Sequence, residues 1–420
     1  MSGFVTLDRE KPLSANLKVV GVGGGGCNAI DSMIKRGLIG VEYVAINTDA
    51  QVLEKSSATH KIQVGKNMTR GLGAGADPNV GRKAVEEDTE KITEVLSNSD
   101  MVFVTAGMGG GTGTGGAPIV ASIAKSVGAL VIGICTKPFK WEGKKRMLNA
   151  EEGIHELRQF VDSLIVIPNE RILSILDNSV SALAAFDKPN EVLYEATRGI
   201  ADIITVPGII NVDFADVRSV MSQSGEALMG CGIASGDSRA IESAQKAISS
   251  PLLEGVSIKG AKNILLNVTG SQNLTMQEVE EGNKVIYEAA GEEANIIFGL
   301  VNKEEMNEYV SYTVIATGFN AKGTLTDYNS EPVKEEPAEE RKAVEGGGFD
   351  MRKFQFEKEE DLEIPTIFRV RGSKSGLLEN DKISQGSGVD QIDAFEYDND
   401  FKKKDKKDDN SSSFLKMMMD

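Results

Sequence analysis

Long apolar runs separated by helical patterns dominate the first 186 residues of the chain. Continuous apolar stretches predict buried strands at residues 17–22, 101–106, 127–135 and 163–168. Between them apolar residues recur at helical spacing, as across residues 117–125, where Pro118 stands in the first turn. This alternation predicts a parallel α/β sheet, covered by helices on both faces, over residues 17–186.

A long helix and a second α/β unit follow. Apolar residues on one face predict a helix from Asn190 to Val206, which Pro207 and Gly208 end. Further along, the pattern predicts strands at residues 263–269, 294–300 and 310–317, and helices at residues 238–248 and 275–290. The predicted organisation is an N-terminal extension (1–16), a sheet domain (17–186), a central helix (187–209) and a smaller C-terminal α/β domain (210–318).

Beyond Phe319 the composition changes. Residues 319–361 are polar, acidic and poor in apolar side chains, so burial cannot offset the entropy of ordering them, and we expect a disordered linker. A short apolar cluster with a proline follows at residues 362–371, and then a mixed-charge tail at residues 372–420. The tail is expected to be a disordered, solvated segment, although a second interaction site or a weak contact with anionic lipid stays open.

Three glycine-rich loops lie in the first unit, at residues 23–26, 71–75 and 109–116. The first and third stand between a predicted strand and a helical pattern, a position that suits phosphate binding. Without Cβ atoms, backbone N–H groups can close on an anion, and the helix N-terminus adds partial positive charge. Together the loops predict a cradle for a triphosphate, with a flexible linker as the alternative for the third. The chain has no G-x-x-x-x-G-K-[ST] motif, which excludes a Walker-type NTPase.

A dinucleotide site is the competing interpretation of the first loop. Gly21, Gly23 and Gly26 satisfy G-x-G-x-x-G, and Asp49 follows at a distance suited to a ribose hydroxyl. A dehydrogenase, however, needs no second polyglycine turn. The chain also lacks an evident catalytic histidine, Tyr-x-x-x-Lys pair or nucleophilic cysteine.

Composition narrows the function classes further. The net charge of −17 argues against nucleic acid as the main partner. The presence of only two histidines argues against a zinc site or histidine-based catalysis, and three cysteines without metal spacing indicate reduced, buried thiols. No apolar run reaches the ~18 residues of a membrane span, and no signal sequence is evident, so we expect a cytoplasmic protein.

Several spaced motifs resemble one family. The run at residues 109–116, with the loop at residues 23–28 before it, is similar to the signature of the tubulin/FtsZ superfamily. The sequences at residues 47–51, 136–139 and 211–217 resemble those of the bacterial FtsZ branch of this superfamily. The similarity runs from Leu17 to Phe319 and resumes near Glu363. It implies a tubulin-like fold with a Rossmann-type GTP-binding domain. Members that act in plasmid partition or cell shape remain an alternative to a division protein.

The resemblance also implies a set of nucleotide contacts. Phe186 would stack on the base, Asn169 and Asn190 would bind the guanine edge, and Glu142 and Arg146 would hold sugar and phosphate. From the residues alone, Phe186 would more often be a core residue, and Glu142 and Arg146 could be a surface i,i+4 pair. Because some relatives carry a carboxylate at position 190, an amide there predicts weaker discrimination against other purines. The implied contacts for GTP or GDP are Gly24, Gly25, Gly26, Asn28, Asn47, Gly73, Ala74, Gly75, Gly109, Gly110, Gly111, Thr112, Gly113, Thr114, Gly115, Thr136, Glu142, Arg146, Asn169, Phe186 and Asn190.

A second set of residues would carry the chemistry. The resemblance implies that Asn211, Asp213 and Asp216 enter the nucleotide site of the next subunit and polarise the attacking water, with a Mg²⁺ ion on the phosphates. Hydrolysis would then require head-to-tail filaments, which in this family form the division ring at mid-cell. From the residues alone, Asp213 caps a helix and Asp216 lies in its first turn.

One element of the tail also resembles the family. Residues 361–369 are similar to the peptide by which family members bind membrane-tethering division proteins, here through Ile364–Arg369. A short apolar cluster with flanking charge suits docking into a groove on a partner. Other division regulators are further expected partners, and the chain extends past this peptide where relatives usually stop.

Overall fold

Ten strands and twelve α-helices make up the part of the chain that the computed structural model describes, residues 15–319 except 174–175, 177–179, 251–252 and 254–257. The predicted linker beyond residue 319, the partner-binding peptide and the tail lie outside these residues. The strands are β1 (Leu17–Val22), β2 (Glu42–Asn47), β3 (His60–Gln63), β4 (Met101–Gly107), β5 (Leu130–Lys137), β6 (Ser163–Pro168), β7 (Gly225–Ala234), β8 (Asn263–Gly270), β9 (Asn295–Asn302) and β10 (Val310–Thr317). The helices are α1 (Gly23–Lys35), α2 (Ala50–Lys55), α3 (Lys66–Thr69), α4 (Pro78–Glu87), α5 (Thr89–Leu96), α6 (Thr112–Ser126), α7 (Lys144–Leu157), α8 (Asn169–Leu173), α9 (Ala182–Thr205), α10 (Phe214–Met221), α11 (Arg239–Ile248) and α12 (Met276–Ala290).

The first six strands form the predicted parallel sheet, in the order β3-β2-β1-β4-β5-β6. Val19 at the centre of β1 pairs with Tyr43 on one side and Phe103 on the other. The strands bury nearly every side chain because helices cover both faces, which accounts for their continuous apolar runs. The carboxyl ends of the parallel strands β1, β2, β4, β5 and β6 therefore lie together at one end of the sheet, which we call the carboxyl edge.

The same sheet continues into the second unit, which the sequence pattern did not predict. β6 pairs with β7 in parallel over residues 163–165, and β7 then continues the order β7-β10-β8-β9. β7 escaped prediction because glycines interrupt its apolar pattern. A Cβ atom at Gly230 or Gly232 would lie 2.0 Å from a carbonyl oxygen of α11, so the helix packs directly on the strand backbone there.

The long helix α9 packs between the two units. Its buried residues Leu193, Ala196 and Ile200 share one apolar cluster with Ile132 of β5 and with Leu265 of β8. Such burial contributes about 1.5–3 kcal/mol per large apolar side chain. The helix is thus stabilised by contacts with both units, and its position fixes what its two ends can reach.

The predicted start of this helix is wrong. α9 begins at Ala182, where the Ser181 hydroxyl caps the Ala184 N–H at 3.3 Å, eight residues before the predicted Asn190. Pro189 lies inside the helix. A proline has no N–H to donate to the carbonyl four residues back, so a helix interior usually excludes it. Packing on both faces of the following turns outweighs that cost.

Two glycine-rich loops are also shorter than predicted. α1 begins at Gly23 and α6 at Thr112, so residues predicted as loop form the first turns of both helices. Glycine disfavours helix by about 1 kcal/mol relative to alanine, and local propensity therefore indicates a loop. Close packing of the two helix starts overrides that preference, as the site geometry shows.

Candidate nucleotide-binding site

The N-termini of α1 and α6 abut at the carboxyl edge of the sheet. A Cβ atom at Gly23 would lie 2.6 Å from the backbone nitrogen of Gly113, and one at Gly25 would lie 3.0 Å from the Gly107 Cα. Only glycine permits this approach. Two long helices thus direct their free N–H groups and partial positive charges toward one place, an arrangement that favours a polyanion.

The outer side of this edge stays accessible. Gly24, Gly25 and Asn28 on α1 are exposed, whereas Gly26 is buried against the sheet. Gly110 is half-buried, and a Cβ atom there would have open space around it. Such exposed backbone beside two helix starts can donate to a ligand without displacing protein atoms.

The loop at residues 71–77 closes one side of the α6 start. A Cβ atom at Gly111 would lie 2.8 Å from the Ala74 Cβ and 3.0 Å from the Asp77 backbone. The Thr48 and Thr112 hydroxyls are 2.7 Å apart and buried. The structure therefore brings Ala74 beside Gly111 at the start of α6, with Gly73 and Gly75 on either side of Ala74 along the chain.

Hydrogen bonds hold the third loop in shape. The Gly109 N–H donates to the Thr114 hydroxyl at 2.9 Å, closing the loop on the first turn of α6. Both Thr112 and Thr114 are nearly fully buried, and Gly113 and Gly115 are buried with them. These hydroxyls stabilise the conformation of the loop as well as offering hydrogen bonds to a ligand, so the loop is preorganised.

Residues at the start of α7 pack against the same loop. Gly109 has a φ of +99°, and a Cβ atom there would lie 2.8 Å from the Arg146 carbonyl oxygen. Glu142 forms an ion pair with Arg146 and accepts a hydrogen bond from the Phe139 N–H at 2.9 Å. The i,i+4 pair that the sequence left open therefore exists, and it lies beside the cradle. Thr136, buried at the end of β5, lines the floor.

An aromatic cluster marks the far end of the edge. Phe186 is 54% exposed, so the interpretation of Phe186 as a core residue is wrong. Its ring contacts Phe139 and Trp141 with centroid distances of 5.8 and 5.9 Å. Sequence reasoning missed Trp141. The signal was present, since the chain's single tryptophan stands next to Glu142.

Three asparagines flank the edge with different surroundings. Asn169, at the start of α8, is buried, and its Oδ1 has no hydrogen-bond partner in the protein. A buried acceptor left unpaired is costly, which is typical of a binding group. Asn190 donates to Asp187 at 3.2 Å, and Asn47 accepts from the Asp49 N–H at 3.2 Å.

Asp49 has a structural role in this fold. Its carboxylate caps α2, accepting from the N–H groups of Gln51 at 2.9 Å and Val52 at 3.4 Å. The acid that a dinucleotide site would direct at a ribose is therefore held by its own helix. Beside it, burial raises the pKa of the Cys27 thiol to about 12, so Cys27 stays protonated at neutral pH.

Asp213 and Asp216, which the resemblance assigns to GTP hydrolysis, lie at the opposite edge, where the parallel strands begin. The Asp213 carboxylate caps α10, accepting from the Asp216 N–H at 2.8 Å, and both side chains are exposed. Further along α10, Arg218 donates to the carbonyl of Asp100, the residue before β4, at 3.2 Å. The cradle follows the other end of that strand, about 20 Å away at ~3.3 Å per residue. The structure does not bring Asp213 and Asp216 to the cradle of their own chain.

Comparison with known proteins identifies the family. The tubulin/FtsZ family GTPase domain matches residues 16–177, and the FtsZ family C-terminal domain matches residues 225–320. A solved FtsZ dimer of M. jannaschii, described as empty, is 44% identical, with a TM-score of 0.69 over 72% of this chain and 88% of that chain. The chain belongs to the tubulin/FtsZ family.

Further solved structures extend the comparison. A tryptophan-to-tyrosine mutant of the M. jannaschii FtsZ is 44% identical with a TM-score of 0.70, over 73% of this chain and 92% of that one. A CetZ2 protofilament of Haloferax volcanii with bound GTPγS is 19% identical with a TM-score of 0.62, over 73% of this chain and 94% of that one. At that identity the likeness concerns the fold alone.

Membership of the tubulin/FtsZ family makes this chain a GTPase that binds GTP and GDP. In the ranges that the structure describes, no helix is long and apolar enough to cross a membrane. Over the same ranges, no three His, Cys, Asp or Glu side chains group so as to hold a metal ion. The nucleotide edge is instead lined by backbone N–H groups and hydroxyls, which suit phosphate oxygens.

Proposed function

We propose that this GTPase assembles head to tail into filaments, and that these filaments form the ring that organises cell division at mid-cell in the cytoplasm. The observation that carries the proposal is the separation of two half-sites. The cradle lies at the carboxyl edge of the sheet. Asp213 and Asp216 lie exposed on α10, the helix that contacts the other end of β4, and that strand is about 20 Å long.

Two half-sites on opposite edges of one molecule can meet only between molecules. A contact that joins the carboxyl edge of one copy to the opposite edge of the next copy is heterologous. Such a contact forms a closed ring only if the rotation from copy to copy completes a full turn. Repetition of that contact makes a filament. The FtsZ dimer and the CetZ2 protofilament, both relatives in fold, support self-association as the mode of action.

The division role rests on the degree of likeness. Two FtsZ structures are 44% identical to the chain, against 19% for CetZ2, and the C-terminal domain matches that of the FtsZ family. These comparisons favour the FtsZ role over that of the other members with this fold.

GTP fits the residues at the nucleotide edge. Two helix N-termini and exposed glycine backbone suit the triphosphate, and Glu142 with Arg146 borders it on the α7 side. The unpaired Oδ1 of Asn169 offers an acceptor for the N–H groups on a guanine edge. Phe186 offers an exposed ring for the base.

A Mg²⁺ ion fits this site only as a ligand of the nucleotide. Thr112 supplies a hydroxyl at the α6 start, and the described residues gather no cluster of carboxylates that would hold an ion without phosphate. A bound ion would supply positive charge that offsets the negative charge on the phosphates. Asp213 and Asp216 of the next subunit orient the attacking water, and Asn211 supports that loop.

The test separates binding from hydrolysis. Asp216→Ala keeps the backbone N–H that Asp213 caps, so the fold and GTP affinity should stay close to those of the parent. Hydrolysis should fall about 100-fold, because a water-positioning group is lost in phosphoryl transfer. Gly110→Asp, where a Cβ atom meets nothing, should fold but repel the phosphates. Mixing the two variants should restore hydrolysis above either alone.

The shared site is contradicted if Asp216→Ala keeps full activity, or if it loses GTP binding. Electron microscopy of the parent with GTP and with GDP provides the second readout. Filaments should form with GTP and should persist longer in Asp216→Ala, which does not consume it. A parent that binds and hydrolyses GTP but never forms filaments would exclude the polymer role.

For the tail we propose that Ile364–Arg369 binds membrane-tethering division proteins, since this peptide resembles the one used in the family. Other division regulators are further proposed partners. A chain truncated after Phe319 keeps every cradle residue and the loop that carries Asp213. It should assemble with GTP and fail to recruit the tether. Loss of assembly in the truncated chain would contradict the proposal that the tail only recruits.

A further inference from the structure

Three aromatic rings, which we call the aromatic corner, meet at the end of the nucleotide edge: Phe139, Trp141 and Phe186. Phe139 and Trp141 stack with centroids 5.2 Å apart and an angle of 11° between planes. Phe186 stands perpendicular to both, at 90° and 87°. Phe186 belongs to the first turns of α9, whereas the other two rings come from the connection between β5 and α7. The corner therefore joins two separate parts of the site.

The loop that carries Trp141 is held rather than loose. The Phe139 N–H donates to Glu142 at 2.9 Å, and the Lys140 N–H donates to Glu170 at 3.1 Å. Glu142 is in turn paired with Arg146. These contacts hold the backbone next to Trp141, and its ring stacks on Phe139.

The corner is only partly closed. Phe139 is 3% exposed and forms its base, while Trp141 is 64% exposed and Phe186 is 54% exposed. An aromatic ring left this open beside a binding site retains apolar surface that a planar base can cover. Phe186 is the ring that our proposed function assigns to the base.

We propose that Trp141 is a positioning residue for the nucleotide base. Stacked on Phe139, its ring fixes Phe186 in a perpendicular orientation and so keeps the Phe186 face available for stacking. This inference rests on the proposed function, in which Phe186 receives guanine. It assigns to Trp141 a contribution to affinity for the base and none to the phosphate chemistry at Asp213 and Asp216.

The expected effect follows from the size of one aromatic pair. Replacing Trp141 with Leu keeps apolar volume but removes both ring contacts, and we expect the Kd for GTP to rise about fivefold. That change corresponds to about 1 kcal/mol, the typical value for an aromatic pair. Trp141→Phe keeps a ring in the corner and should stay within twofold of the parent.

Steady-state kinetics on the full chain separate positioning from catalysis. Trp141→Leu should raise KM about fivefold and leave kcat within twofold, because the water-polarising acids are untouched. The matched control is Leu183→Ala, which removes an exposed apolar side chain (84%) from the first turn of the same helix. Leu183 is not one of the three rings of the corner, and this variant should behave as the parent.

The fluorescence emission of the chain's single tryptophan provides a second readout. It would not change on ligand binding if Trp141 had only a structural role. GDP carries both base and phosphates, whereas tripolyphosphate fills the cradle without a base. GDP should change the intensity of Trp141 emission, and tripolyphosphate should leave it unchanged. This measurement uses the parent chain, so it stands even if Trp141→Leu does not fold.

The outcomes are distinct. A parental Kd in Trp141→Leu, equal weakening in the Leu and Phe variants, or a fall in kcat alone would overturn the inference. Emission unaffected by GDP, or changed equally by tripolyphosphate, would overturn it as well. A parent that hydrolyses no GTP would instead refute the proposed function, so the two failures are distinguishable.

Discussion

The Nζ atom of Lys303 lies 2.5 Å from the Oδ2 atom of Asp202, and this ion pair fastens the last turn of α9 to the end of β9. The Asp202 carboxylate is 4% exposed and also accepts from Arg198 at 3.1 Å. Three residues earlier, the Leu300 carbonyl of β9 accepts from the N–H groups of Ile209 and Ile210, and the Leu300 N–H donates to the Ile210 carbonyl. The loop that leads to Asp213 is therefore tied to β9 at both of these points.

We predict that Lys303→Met weakens hydrolysis more than nucleotide binding. Removing the ammonium leaves a buried carboxylate with Arg198 as its remaining partner, so unfolding should become easier by about 1–3 kcal/mol. The loop before Asp213 loses one of its two ties, and kcat should fall severalfold while the Kd for GTP stays unchanged. Urea unfolding and GTPase assays measure these effects.

Lys284→Met is the control for that substitution. Lys284 pairs with Glu288 at 4.0 Å, and both side chains are about 70% exposed or more. Exposed pairs of this kind contribute less than about 1 kcal/mol. If Lys303→Met and Lys284→Met had the same stability and kcat, the ion pair with Asp202 would not hold the loop.

A second prediction concerns the closeness of Gly109 to α7. In Gly109→Ala, the added Cβ would lie 2.8 Å from the Arg146 carbonyl, so the third loop must move. A displacement near 1 Å can cost about 100-fold in a site of this kind, and GTP affinity should fall at least tenfold. Isothermal titration with GTP gives the affinity.

Gly128→Ala provides the matched comparison. Gly128 has a φ of +87°, close to the +99° of Gly109, but a Cβ atom there meets nothing within 4 Å. Both substitutions carry backbone strain of about 1–2 kcal/mol. Only Gly109→Ala should lose GTP, and equal affinities in the two variants would contradict the close approach.

A third prediction concerns stability in acid. Arg239 donates to Glu278 at 2.7 Å and lowers the pKa of that carboxyl from 4.5 to about 2. A carboxylate with a depressed pKa stabilises the fold above its unfolded pKa and loses this contribution as pH falls toward 2. Between pH 5 and pH 3, the parent should therefore lose more stability than Glu278→Gln does.

Urea midpoints at pH 6 and pH 3.5 measure this difference. Glu288→Gln removes an exposed carboxylate from the same helix and should follow the parent, because its partner Lys284 lies 4.0 Å away. A parallel pH dependence of Glu278→Gln and the parent would show that the Arg239 pair is not formed in solution.

A fourth prediction concerns the three thiols. Burial raises the pKa of Cys27, Cys135 and Cys231 to about 12, so the thiolate fraction at pH 8 is very small. Ellman's reagent should react slowly with the folded chain. In guanidinium chloride, which unfolds the chain, it should react readily with all three thiols. One fast-reacting thiol in the folded chain would contradict the burial of that cysteine.

The apolar pattern predicted strands best where helices cover both faces. The predicted runs at Ser163–Pro168 and Val310–Thr317 coincide with β6 and β10. Predictions failed where tertiary packing opposed local preference. Glycines at the α1 and α6 starts indicated loop, the predicted helix began eight residues after the start of α9, and the glycines of β7 hid a strand.

The candidate site likewise has features that the sequence predicted and features that it did not. Glycine runs carry a local signal for phosphate, since their backbone chemistry depends on residue type and on a few neighbours. The position of Trp141 next to Glu142 was a local cue, but the exposure of Phe186 and its contact with Trp141 depend on two distant segments.

By itself, the sequence determined the parallel strands, the glycine-rich loops at their ends and the family they resemble, because each depends on residues adjacent along the chain. Only the tertiary structure decided that these loops converge on one edge while Asp213 caps α10 at the other. It also decided that β6 and β7 join the two units in one sheet. Which edges meet depends on long-range packing of surfaces, and that free energy is distributed over residues far apart in the chain.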